Sequence, residues 1–453
     1  MIFKYLQGQE RCLFAARRVL FLAWPSFSTE NFFEICKSFH YTENFLDFLK
    51  SFQYTDSMLI REKYIKQIRP FYDSDLIKVI TGIRRCGKSV VLEQIKDEIL
   101  AKKKPVIHLN FEKRDVYSKI TNDNDLVDYI ESQIKKKPKS KWYVFLDEIQ
   151  TVKNWNLACK SLRLENLSLF ITGSNSKLLS KEFTKELSGR YVSFTIRPFV
   201  YKEILEYSKE LKRKISVNDY LVYGGFPKRF EFSDTDSLLR YLDDLDQTIV
   251  LNDIINRYKI RKDEIFRKLV DFVLVSNARI FSSNSIHNYL KSQKTECSIN
   301  TVMKYLGYLE EAYVIRKIPQ YSTKAKKKLD FYAKLYNEDV AFNSIRQTNG
   351  RFDLTHNLEN VVYNELVFMG YELSVYNVGD KEIDFLAAKD GKEFLIQVAY
   401  SVAEESTYER EFAPFNLVDN ARKKILITND ENDFSTSTVV HLKLKDFLLM
   451  EEL

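Results

Sequence analysis

The chain has 453 residues, 45% hydrophobic and 29% charged, the balance of a folded globular protein long enough for two or three cores. Gly (12) and Pro (8) are scarce, which excludes collagen-like and low-complexity sequence. Lys and Arg (70) exceed Asp and Glu (63) only slightly, so the charge permits a nucleic-acid partner without arguing for one. No apolar run approaches the ~18 residues of a membrane span. Cys12, Cys36, Cys86, Cys159 and Cys297 form no CxxC pair, and the histidines are dispersed. Disulfide frameworks and zinc sites are therefore unsupported, and a reduced, cytoplasmic chain is expected.

Residues 1–57 are rich in Phe and Tyr, and Phe32, Phe33, Ile35 and Phe39 form an apolar stripe suited to a helix. Met58 opens a more regular pattern, so the preceding stretch reads either as a helical segment or as an extension ahead of the true start. From Leu76 onward, β-branched runs alternate with helical patterns. Strands are predicted at 76–81, 106–110, 143–146 and 167–172, with helices after Ser89, around 126–134 and around 155–164. This alternation predicts an α/β fold, a parallel sheet with helices on both faces, over 58–197. Beyond Pro198 the strand signal fades. Helices are predicted at 199–211 and 236–258, a lid region spanning 198–260, around Tyr223-Gly-Gly-Phe-Pro227. Residues 261–320 read as a winged helix whose helix-turn-helix is 285–291 and 298–312. The basic stretch 320–328 reads as a linker, and 329–453 as a separate α/β domain.

The sharpest motif is Gly82-Ile-Arg-Arg-Cys-Gly87-Lys88-Ser89, a GxxxxGK[ST] loop placed between a buried strand and a helix. Glycines let backbone N–H groups turn inward around phosphates, Lys88 reaches the β- and γ-phosphates, and the Ser89 hydroxyl completes a Mg²⁺ shell. Gly82, Arg85, Cys86, Gly87, Lys88, Ser89 and Val90 are the expected ATP contacts; a small residue fits at Cys86 without any redox role. Trp142-Tyr-Val-Phe-Leu-Asp147-Glu148 is an apolar strand ending in two acids, the Walker B form. There Asp147 is expected to hold Mg²⁺ and Glu148 to polarise the attacking water. A third strand ends in Thr172-Gly-Ser174-Asn175, placing an amide or hydroxyl beside the γ-phosphate; Asn175 is the first choice and Ser174 the second. A helix-capping turn is the alternative. Arg190, just before the next strand, is either a cation for the transferring phosphoryl group or a solvated surface residue.

These pieces resemble a large bacterial and archaeal family of AAA-type ATPases with an appended C-terminal domain of unknown function. The matching stretches begin with Ile80–Ser89, Phe145–Gln150, Ile171–Ser180, Leu187–Arg190 and Tyr223–Pro227. In the last third they continue with Glu359–Leu366, Glu382–Phe385 and Ile396–Tyr400. The resemblance implies a P-loop ATPase core with the AAA strand arrangement, a winged helix and a terminal domain.

Within that last domain, Glu365, Glu382, Asp384 and Gln397 resemble the acid arrangement of restriction-endonuclease-like folds, where carboxylates hold Mg²⁺ and a nearby lysine activates water. Ala399 stands at that lysine's position, so a degenerate, non-cutting site is expected; solvated carboxylates are the bland alternative. The leading function is thus a Mg²⁺-dependent ATPase acting as a switch or motor on an unknown protein partner. The alternatives are a DNA-binding protein gated by ATP, supported by the basic stretches 135–139 and 324–328, and, behind it, a nuclease.

Overall fold

A computed structural model of the protein describes residues 59–135, 140–165, 167–174, 186–295, 297–322, 327–347, 351–419 and 421–453. The N-terminal segment 1–57, Asn175 and most of the basic stretch 135–139 lie outside these residues.

Helix α1 (Glu62–Ile68) leads into a five-stranded parallel sheet of β1 (Ile77–Thr81), β2 (Val106–Asn110), β3 (Trp142–Asp147), β4 (Leu167–Thr172) and β5 (Tyr191–Thr195). The strand order is β2-β3-β4-β1-β5, so β4 intervenes between the loop-bearing strand and the strand ending in acids. Side chains alternate across the sheet, which is why three strands are buried from end to end. On one face Val79, Val144, Leu146, Leu169 and Ile171 pack with α3 (Asp123–Ile134) and α4 (Trp155–Leu162). On the other, Ile80, Phe145 and Phe170 meet Val91, Leu92, Ile95 and Ile99 of α2 (Lys88–Ala101) and Ile65 and Ile68 of α1. Each such aliphatic side chain contributes about 1.5–3 kcal/mol on burial. The result is the fold of a P-loop nucleoside triphosphatase.

Helices α5 (Tyr201–Glu210), α6 (Val217–Tyr223) and α7 (Thr235–Asp246) follow, and α7 runs through a π-helical turn (Gln247–Asn252) into α8 (Asp253–Tyr258). The segment read as a winged helix forms α9 (Asp263–Val275), β6 (Arg279–Phe281), α10 (Ser283–Ser292), α11 (Ile299–Glu311), β7 (Ile315–Ser322) and β8 (Lys327–Asn337). Ser282 and Ser298 cap α10 and α11 through their side chains.

The expected linker at 320–328 is not one. Gln320, Tyr321 and Ser322 pair with Leu329, Lys328 and Lys327 in the β7–β8 hairpin. The same three residues pair in parallel with Val375, Tyr376 and Asn377 of β9 (Glu372–Val378). Residues 320–322 are thus held in two ladders, and the boundary expected there falls inside an eight-stranded sheet, β13-β12-β11-β10-β9-β7-β8-β6. Its remaining strands are β10 (Lys381–Lys389), β11 (Lys392–Ala399), β12 (Lys423–Thr428) and β13 (Val439–Lys443), with α12 (Leu354–Met369) and α13 (Glu405–Phe412) alongside.

Candidate nucleotide site

The C-terminal ends of parallel strands form the crevice where α/β sheets take ligands. Here Thr81, Asn110, Asp147 and Thr172 end β1, β2, β3 and β4 at that edge. The loop after Thr81 is built by its glycines. Gly82 has φ 139°, and a Cβ there would sit 2.0 Å from the Ile196 carbonyl oxygen. Gly87, φ 100°, is the N-cap of α2. Between them Arg85 also takes a left-handed conformation, φ 67°, with its side chain exposed. Cys86 is buried, donates its thiol to the Ile196 carbonyl at 3.2 Å, and has its pKa raised by burial, the opposite of a reactive thiol. Lys88 donates from Nζ to the loop's own Ile83 carbonyl at 3.0 Å. Ser89 is exposed and Val90 half-buried on the first turn of α2.

The acids meet this loop. Asp147 Oδ1 accepts the Ser89 hydroxyl at 3.1 Å and also the Thr172 hydroxyl, and its Oδ2 accepts Asn110 Nδ2 at 3.1 Å. Burial raises the Asp147 pKa, opposed by the two hydroxyl donors. Glu148 adopts φ 55°, its backbone N–H donating to Thr172 Oγ1 at 2.9 Å while its half-buried carboxylate accepts Gln150 Nε2. The two adjacent acids thus have different partners, Asp147 bonding Ser89 at the loop's end and Glu148 bonding Gln150.

Three participants escaped sequence reasoning. Thr172 lay inside a quoted motif, but its hydroxyl, rather than that of the downstream Ser174, is the one bonded to Asp147. Asn110 had no signal beyond ending a strand. Arg61, 1% exposed, donates from Nη1 to the Cys86 carbonyl at 3.0 Å and the Arg197 carbonyl at 2.8 Å. It also forms a two-pronged pair with Glu203 of α5 at 2.8 and 2.7 Å. Arg61 thereby fixes the loop to the exit of β5 and to α5, a role that no local pattern announces.

Arg190 is a correction. It precedes β5, whose register pairs Tyr191 with Ile77 and Thr195 with Thr81. At about 3.3 Å per residue it stands a full strand length from the loop, exposed at the opposite sheet edge. It cannot reach a phosphate bound in its own loop.

The C-terminal quartet is also revised. Glu382, Asp384 and Gln397 come together, with Gln397 Oε1 accepting the Asp384 N–H at 3.4 Å. Glu365 points elsewhere: its Oε1 accepts the Tyr201 N–H at 3.0 Å at the start of α5, and burial pushes its pKa up to about 8. Glu359, six residues earlier and about 120° around α12, takes the place expected of it. The centre of the cluster is Lys334 of β8, whose Nζ lies 2.9 Å from Glu359, 2.7 Å from Glu382 and 2.8 Å from Asp384. The ammonium donates to Glu359 and Asp384 and ion-pairs with Glu382, so a cation of this chain already stands among the acids where a divalent ion would have to bind. The bland reading of Glu365 and Glu382 on solvated faces fails for Glu365, which is buried, while Glu382 is half-buried and paired with Lys334.

The comparisons with known proteins agree with this layout. Residues 74–205 match a family model described as an AAA domain, and 214–346 match one described as a domain of unknown function. The latter covers the α6–β8 region, upstream of the Glu382–Asp384 cluster. An uncharacterized protein of Haemophilus influenzae is 34% identical over 381 residues, covering 82% of this chain and 94% of that one. An uncharacterized protein of Methanocaldococcus jannaschii is 32% identical over 380 residues, 78% of this chain and 82% of that one. Among solved structures, a Walker-type ATPase of Pyrococcus abyssi aligns at a TM-score of 0.46 and 16% identity, over 64% of this chain and 97% of that one. The chain belongs to the family of these H. influenzae and M. jannaschii proteins, built on an AAA-type P-loop ATPase domain.

Proposed function

We propose that the protein binds Mg·ATP between β1 and α2 and hydrolyses it, as a switch or motor acting on a partner. The observation that carries this reading is the hydrogen bond between Ser89 and Asp147, which brings the glycine-framed loop and the acidic strand end to one point. Two hard oxygen donors 3.1 Å apart at the N-terminal turn of α2, where backbone N–H groups are free to face an anion, suit Mg²⁺ and a phosphate chain. Mg²⁺ held there supplies charge neutralisation on the phosphates.

The chain's own residues do the rest. Lys88 exchanges the Ile83 carbonyl for phosphate oxygens. Asp147, kept in place by Thr172 and Asn110, must be ionised to act as a ligand, so its burial-raised pKa makes binding weaken toward acid pH. Glu148 orients water and accepts its proton, its backbone fixed by Thr172. Steady-state phosphate release tests the assignment. Lys88→Ala is expected to lose both binding and turnover. Glu148→Gln is expected to retain ATP while turnover falls about 10²-fold or more. Full turnover in Glu148→Gln would remove that residue from the mechanism.

A further inference from the structure

Helix α11 buries Val302, Tyr305, Leu306 and Leu309 and turns Ile299, Asn300, Met303 and Lys304 outward. It follows α10 in the segment read as a helix-turn-helix, and exposed cations lie on α11 itself and on the segments adjoining α8, α9 and α10. Lys259, Arg261 and Lys262 come from the segment joining α8 to α9, Lys291 and Lys294 from the end of α10, and Lys304 from α11 itself; all six are exposed. The α8–α9 segment is held close: Tyr258 stacks on Tyr308 of α11 with ring centroids 3.6 Å apart, and the Lys262 charge acts on the Cys297 thiol just before the Ser298 cap.

None of the six has an ion-pair partner among the described residues, whereas the nearby acids are engaged. Glu264 pairs with Lys268 at 2.8 Å, Asp263 with Arg267 at 3.7 Å and Glu310 with Lys317 at 2.6 Å; Glu311 accepts the Tyr258 hydroxyl. Uncompensated cations flanking an outward helix face match a helix lying between two phosphate backbones.

We propose that this face docks duplex DNA, with α11 in the major groove. A groove about 12 Å wide admits one α-helix. The flanking lysines and Arg261 then meet phosphates, Asn300 is placed to read a base edge, and Ile299 and Met303 offer apolar contact to thymine methyls. The β7–β8 hairpin is not a free wing, because β7 is paired with β9; readout falls to the helix. The surface is also linked to the loop: Asp253, the first residue of α8, pairs with Arg84 at 2.5 Å, and the other end of α8 carries Tyr258. Nucleotide in the loop therefore changes DNA affinity through α8. This second element rests on the ATP reading; the surface itself does not.

The test is fluorescence anisotropy of the full-length protein with a labelled mixed-sequence duplex, titrated over a range of NaCl. Affinity is expected to fall linearly in log–log form. The triple variant Lys259→Ala, Arg261→Ala, Lys262→Ala is expected to bind about tenfold more weakly, with a slope shallower by about two to three. Circular dichroism and nucleotide binding of the variant check its fold. Absent binding at low salt, equal affinity for a single strand, or an unaltered triple variant would overturn the surface. A non-hydrolysable ATP analogue is expected to shift the wild-type affinity about threefold or more and to leave Asp253→Asn unshifted. A wild type that binds the analogue yet shows no shift disproves the link alone; one that binds no nucleotide defeats the ATP reading, while the duplex isotherm still judges the surface.

Discussion

Ser89 and Asp147, singled out by motif spacing, meet at 3.1 Å, and Lys88 folds back on its own loop through the Ile83 carbonyl; phosphate transfer is the role proposed for them with Glu148. A loop that must turn inward needs glycine at positive φ, and a metal ligand needs an acid at a strand end; both demands are local, so both are written locally. Arg61, Thr172 and Asn110 were not legible, because their roles exist only once β2, β3, β4 and α1 are assembled. Glu365 shows the reverse error: its residue type fitted a metal site, but its position on α12 turns it toward the N–H of Tyr201. Burial there gives a pH signature. Its folded pKa of about 8 lies above the ordinary 4.5, so it holds a proton in the native state that the unfolded chain has released. Stability therefore falls as pH rises from about 4.5 to about 8 and levels off above. Glu365→Gln keeps an acceptor for Tyr201 and removes the titration. Thermal melts of the variant against the wild type are expected to diverge in the variant's favour across that window, and parallel curves would refute the assignment.

At the scale of elements, the strands of the first sheet were readable because continuous β-branched runs flanked by helices leave few alternatives. The second sheet was misjudged at the ends of the stretch 320–328, where 320–322 and 327–328 pair as strand rather than forming a linker. Strand β8 instead carries its basic character inward at Lys334. The ammonium ties the β7–β8 hairpin to β10 and α12 through Asp384, Glu382 and Glu359, and Tyr336 two residues on also donates to Glu359 at 2.7 Å. Burial and the neighbouring Asp384 push the Glu359 pKa up, opposed by the Lys334 ammonium. Removing one partner of a buried charge cluster costs about 3–5 kcal/mol. Lys334→Met is accordingly expected to lose stability of that order in denaturant titrations, and a neutral outcome would mean that the cluster does not hold the hairpin in place.

Across the whole described molecule, one core runs from the nucleotide sheet into the helices that follow. Ile80, Val91 and Phe170 belong to the same apolar cluster as Leu242, Ile254, Leu269, Val302 and Leu306. Charged anchors reinforce it: Arg197, at the exit of β5, pairs with Glu338 at 3.0 Å and donates to Asn364 of α12 at 3.0 Å. Gly224 and Gly225 allow the chain to pass against Asp339 and Phe199, where a Cβ would collide with the Asp339 carboxylate and the Phe199 carbonyl respectively. A displacement at the loop thus has packed routes into α8–α11 and into α12, as a switch requires. All of this depends on a triphosphate being held jointly by the loop and β3. Calorimetric titration of ATP into wild type and Asp147→Asn, each with Mg²⁺ and with EDTA, addresses that dependence directly. The account predicts wild-type binding that is tightened by Mg²⁺ and an Asp147→Asn protein whose residual binding ignores the metal. A wild type that takes up no ATP, or a variant with undiminished Mg²⁺ dependence, would contradict it.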